Sequence, residues 1–135
     1  MSEYLIELVV GVLDFDGSPD RISEFLNLQP THVAQKGVTR EGTKNAPKQS
    51  VWSLRSTPDV KQPEACYSIE VHWNDLARKI AGKEEQFKEL SKSAKIVLTI
   101  IVKQENLYPP VQLTRDLLHY MFRANFALVD VDIQQ

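Results

Sequence analysis

Two stretches stand out from the polar background of this chain: YLIELVVGVL, from Tyr4 to Leu13, and AKIVLTIIVK, from Ala94 to Lys103. Both are apolar, rich in β-branched residues and of strand length, which predicts two buried strands, the second near the centre of a sheet. From Gln49 to Ser56 the pattern alternates, with Val51, Ser53 and Arg55 on one side and Trp52, Leu54 and Ser56 on the other. This is a half-buried strand that turns Trp52 inward. A last alternation, Phe126 to Ile133, sets Leu128, Asp130 and Asp132 against Val129, Val131 and Ile133 and predicts a closing strand.

Between these runs the apolar spacing becomes helical. Ile22, Phe25, Leu26 and Leu28 recur behind a cap at Ser18 or Asp20, with Pro19 in the first turn, and Asn27 with Pro30 stops the helix. KEEQFKELSKS, after a break at Gly82, turns Phe87 and Leu90 inward. Val111 to Arg123 predicts a further helix, with Leu113, Leu117, Leu118, Met121 and Phe122 on one face. Turn residues fill Asp14 to Ser18, Thr57 to Pro63 and Gln104 to Pro110. Cys66 to Ile80 satisfies both periods: Tyr67, Ile69, Val71 and Trp73 alternate as in a strand, while Ile69, Trp73, Leu76, Ala77 and Ile80 share a helix face. The expected architecture is α+β, a two-layer sandwich of one mixed sheet of four or five strands with helices mainly on one face. It forms a single domain over 1–135, with a long polar loop at about 31–50.

That loop belongs to the only long segment without an apolar period, Leu26 to Trp52. Gln35 to Ser50 carries Lys36, Arg40, Lys44 and Lys48 against Glu41, four positive minus one negative, a local +3. Its glycines, Gly37 and Gly42, permit left-handed backbone. Long loops inside small domains are commonly functional or merely solvated. The functional alternative is a basic binding site of Lys36, Arg40, Lys44 and Lys48, with Thr31 and Trp52 at its rim, offering donors to a carboxylate, a phosphate or an acidic protein surface.

Composition narrows the partners. The 135 residues, 42% hydrophobic and 25% charged, suit one globular domain, and a net charge of -2 supplies no general field for nucleic acid. RNA binding is further disfavoured because a +3 loop makes few phosphate contacts and no paired aromatics lie on adjacent strands. Cys66 is the only cysteine, so no intramolecular disulfide can form. The opening MSEY lacks the positive charge of a signal peptide, and Glu7 interrupts the first apolar run. Cytoplasm, with no membrane association, is the expected setting.

Reactive constellations are sparse. His32, His72 and His119 have no metal-ligand spacing, and no phosphate-binding glycine motif follows the first strand, so no metal or cofactor is expected. His72 and His119 read as surface residues beside Glu70 and Asp116, and Cys66 as a partly buried structural thiol. Asp130 with Asp132, and Asp14 with Asp16, could pair carboxylates for acid–base work but read more simply as solvent-facing positions. A module that recognises a protein partner is therefore expected before a catalyst. The alternative is a small-ligand sensor or enzyme using Thr31, Lys36, Arg40 and Trp52 around an anionic substrate.

Several short patterns together resemble the family known as domain of unknown function 4279. They are LNLQPT from Leu26 to Thr31, Gly37, the Trp52-Ser53 pair opening a strand, a helical middle ending near Ser93, the apolar strand after it, and the terminal LVDVDI. The resemblance spans most of the chain. It implies a small bacterial α+β protein, favours helix over Ile69 to Ile80, and brings with it no activity.

Overall fold

The structure is a computed structural model describing residues 4–42, 44–103 and 110–134. Its elements, in chain order, are β1 (Ile6–Leu13), α1 (Pro19–Leu26), β2 (His32–Ala34), β3 (Val51–Arg55), a single 3₁₀ turn (Pro63–Cys66), α2 (Ile69–Lys79), α3 (Glu84–Leu90), β4 (Lys95–Lys103), α4 (Arg115–Arg123) and β5 (Leu128–Gln134). The strands form one open sheet in the order β2-β3-β1-β4-β5. β4 and β5 are parallel and joined by α4, and every other neighbouring pair is antiparallel. The molecule is thus the expected α+β sandwich with one mixed sheet.

Strand β1 lies in the middle because it can be buried on both sides of its pleat. Ile6, Leu8, Val10 and Val12 point into the core shared with all four helices, where they meet Ile22 and Leu26 of α1, Ile69, Trp73 and Leu76 of α2, Phe87 of α3, and Leu117 and Met121 of α4. Ile96, Leu98, Ile100 and Val102 of β4 complete this layer. Glu7 points to the opposite face, only 4% exposed, with Arg55 Nη1 at 3.9 Å and Lys103 Nζ at 3.8 Å.

Helix boundaries follow local chemistry. The hydroxyl oxygens of Ser18, Ser68 and Thr114 accept from the amides of Asp20, Val71 and Leu117, capping α1, α2 and α4. Asn27, at φ 54°, ends α1, and Gly82, at φ 75°, turns the chain between α2 and α3. Thr114→Ala should cost about 1 kcal/mol and Thr114→Ser much less, as measured by urea unfolding, because only the first leaves the Leu117 amide without its cap.

Of the two periods left open over Cys66–Ile80, the segment takes the helical one: it enters through the 3₁₀ turn and becomes α2. Three expectations need correction. The fifth strand lies instead at His32–Ala34, inside the segment read as aperiodic. The face of α4 that meets the core is Leu117, Met121 and Ala124, while Leu113, Leu118 and Phe122 are exposed. Phe25 likewise faces solvent, because Ile22 and Leu26 already fill the α1 contact. Of the turn read at Gln104 to Pro110, residues 104–109 lie outside the described residues.

Candidate functional site

The basic loop is the connection of a β2–β3 hairpin, in which His32, Val33 and Ala34 pair with Ser53, Trp52 and Val51. Its base is fixed by hydrogen bonds. Lys36 N donates to Ser50 Oγ at 3.0 Å, Gly37 N to the Pro47 carbonyl at 3.1 Å, and Asp14 N to the Ser50 carbonyl at 3.0 Å. Gln49 Nε2 donates to Asp14 Oδ1 at 3.0 Å, tying the loop to the end of β1. Ser50 itself is buried, so the hairpin is anchored through a satisfied polar group. Gly37 adopts φ 78° at this neck, where a side chain would be strained.

Beyond the neck, Lys36, Arg40, Lys44 and Lys48 are all exposed. Among the described residues, Lys36, Lys44 and Lys48 join no ion pair. Thr31 is also exposed, but its groups are structural: its amide donates to the Ser53 carbonyl at 2.7 Å and its Oγ1 accepts from Arg55 N at 2.9 Å, continuing the ladder. Trp52 is not at the rim. Its ring is fully buried against α1, with Nε1 donating to Ser23 Oγ at 3.0 Å. Pairing with Val12 on the core face of β1 leaves it no route to a ligand.

The most reactive-looking pair in the structure involves a residue read from sequence as superficial. His72 is fully buried, and its Nε2 lies 2.7 Å from the Ala65 carbonyl, which can only accept. The proton therefore sits on Nε2, and Nδ1 accepts from Ser56 Oγ at 2.6 Å. Ser56 Oγ in turn accepts from Leu8 N at 3.0 Å. A hydroxyl donating to an imidazole is the arrangement of an activated nucleophile. Here Ser56, like His72, is wholly enclosed, so no substrate can reach the oxygen. The pair is a structural splice between β1, the end of β3 and α2. Tyr4 closes it, packing its ring edge-on to His72 at 4.6 Å and donating its hydroxyl to the Pro58 carbonyl. Burial lowers the His72 pKa, against the raising influence of the Ala65 carbonyl and of Glu7 and Asp75.

Asp75, one turn further along α2, holds the loop after β3. Its Oδ2 accepts from Thr57 N at 2.6 Å and pairs with Lys79 Nζ at 2.9 Å, and its Oδ1 accepts from Arg78 at 3.1 Å. Burial pushes its pKa up, but the Thr57 amide, Lys79 and Arg78 together outweigh burial and leave the carboxyl more acidic than usual. A shallow cleft of about 350 Å³ lies beside it, lined by Asp59, Gln62, Asn74 and Arg78 among others. The neighbouring carboxylate is bound by the Thr57 amide, Lys79 and Arg78, and its lowered pKa makes it a weak base toward anything in this cleft.

Cys66 is partly buried, and its carbonyl accepts from Leu5 N at 2.6 Å. Asp130 and Asp132 lie exposed on β5, on the sheet face away from the helices. Among the described residues, no group of three or more His, Cys, Asp or Glu side chains is placed to hold a metal ion. No described helix is long and apolar enough to cross a membrane.

The family described as Domain of unknown function (DUF4279) matches residues 6–135, nearly the whole length. The chain belongs to the DUF4279 family.

No curated protein and no solved structure shows significant similarity to this DUF4279 chain. The residues that carried the resemblance now have physical places in the DUF4279 fold. Leu26 is core and Asn27 is the left-handed cap of α1. Thr31 starts the hairpin and Gly37 forms its neck. Trp52 and Ser53 point to opposite faces of β3, and LVDVDI is the outer strand β5. In this DUF4279 member they belong to α1, to the hairpin and to the far edge of the sheet.

Proposed function

We propose that this protein is a non-catalytic interaction module of the bacterial cytoplasm, whose basic hairpin recognises an acidic surface on a protein partner, in the manner of small immunity proteins that meet a toxin. The observation that supports this reading is the placement of Lys36, Arg40, Lys44 and Lys48 in solvent on a hairpin anchored at its base by Ser50 and Pro47. Exposed cations give a small anion a weak, heavily screened grip. Spread along a loop, they suit a large complementary surface, where they steer encounter and set specificity. The sealed Ser56–His72 pair supports the same reading, because a candidate nucleophile and base are enclosed and spent on cohesion.

The test compares the wild-type chain with a Lys36→Glu/Lys44→Glu/Lys48→Glu variant as bait in native lysate. A partner retained by the wild type at low salt, released as salt is raised and absent from the variant, is the expected result. Identical captures from both baits, or none, would count against the hairpin. A small anionic ligand, the alternative reading, would show itself as stabilisation by phosphorylated metabolites, about 2.7 kcal/mol at a hundred times the dissociation constant. If that stabilisation vanished in the same variant, the protein-partner reading would give way to the ligand.

A further inference from the structure

The edge of the sheet opposite the hairpin carries a second, independent feature. β5 is an outer strand whose only strand neighbour among the described residues is β4. Its register fixes its faces. Val131 and Ile133 pair with Ile100 and Val102, which point into the core, so both lie on the helix-bearing face. They are nevertheless 46% and 54% exposed. Asp130 and Asp132 pair with Thr99 and Ile101 on the other face and are also exposed. An outer strand offers a row of unused backbone donors and acceptors, and this one backs it with apolar side chains on one face and carboxylates on the other.

We propose that the outer edge of β5 accepts an extended peptide segment of alternating apolar and basic residues, added to the sheet as a further strand. Main-chain bonds would supply affinity and the alternating side chains specificity, as in other sheet-extension complexes. Cross-strand pairing decides the chemistry of the partner. Residues opposite Val131 and Ile133 must be apolar, and those opposite Asp130 and Asp132 must carry positive charge. The same rule argues against a second copy of this chain. Two β5 strands paired about a two-fold keep like faces together, which sets aspartates of one copy beside those of the other. The two charges that discourage self-pairing are the ones that select a basic strand.

The test uses three synthetic peptides of about seven residues: one alternating Lys and Val, one alternating Glu and Val, and the Lys–Val peptide with alternate amides N-methylated. Binding is followed on the amide resonances of residues 128–134, so association at the basic hairpin is not counted. The Lys–Val peptide should shift these resonances and bind about tenfold more tightly than the Glu–Val peptide, and N-methylation should abolish the effect. Asp130→Lys/Asp132→Lys should reverse the preference while leaving the unfolding midpoint near that of the wild type. Equal binding of the two charged peptides, no reversal in the variant, or indifference to N-methylation would each overturn the proposal. Sedimentation showing a dimer lost in Val131→Lys would assign the edge to a second copy and overturn it equally. None of these readouts depends on the hairpin, so the two interfaces succeed or fail separately.

Discussion

Trp52→Ala will lower the unfolding free energy by about 3–5 kcal/mol, the range expected when a buried aromatic is cut back to a methyl group. The ring is fully enclosed among α1, β1 and β3, and its loss leaves a cavity and an unpartnered Ser23 hydroxyl. Trp52→Phe will cost less, because most of the volume stays and only the indole hydrogen bond, on the order of 1 kcal/mol, is forfeited. Urea unfolding followed by circular dichroism measures both. A loss below about 1 kcal/mol for Trp52→Ala would show that the ring is not the core anchor described above. Because Trp52 braces β3 directly above the hairpin neck, partner capture by Trp52→Phe should match the wild type wherever the variant is folded.

Acidification will weaken the fold through His72. The enclosed imidazole is held neutral in the folded state, with its pKa lowered by burial, whereas in the unfolded chain it titrates near the ordinary value of about 6.5. The unfolded state then binds the extra proton. Stability is full above about pH 6.5 and falls as pH drops from there toward the depressed folded value, by at most about 1.4 kcal/mol per pH unit. Asp75 acts in the same direction but lower on the scale: its carboxyl is more acidic folded than unfolded, so its contribution is lost only below the ordinary carboxylate range of about 4. Urea midpoints between pH 7 and 5 should slope in the wild type and flatten in His72→Gln. The variant will also be less stable at pH 7, by roughly 1–3 kcal/mol, because the buried Ser56 hydroxyl loses its acceptor. An unchanged slope in His72→Gln would remove His72 as the acid-labile element.

The strands β1, β3, β4 and β5 were legible because their β-branched runs and alternations are local properties of the chain. β2 was not, since a three-residue strand exists only because the edge of β3 offers it partners. Cys66–Ile80 was legible as either period, and what resolves it is the stripe Ile69, His72, Trp73 and Leu76, at helical spacing and all buried. That stripe was also the missed signal for His72: once the segment is a helix, position 72 must point inward, and a buried imidazole must find partners. The partners themselves, Ser56 and the Ala65 carbonyl, could not be read, because their meeting depends on how α2 crosses β1 and β3. The basic residues of the candidate site were found as a charge cluster, and the structure leaves them in solvent. Trp52 was correctly turned inward by its alternation, which is the reason it cannot also line a binding rim.

The placement of β1 also bears on how the protein is made. Of the five strands of this sheet the middle one is made first, and one of its two neighbours, β4, follows only after three helices and two further strands. During synthesis β1 can pair with β3 but must wait for β4, keeping one long apolar flank uncovered until Lys95–Lys103 has emerged. Chains halted before Lys95 should therefore be sticky and protease-sensitive, and completion of Lys95–Lys103 is the step that commits the nascent protein to its native form.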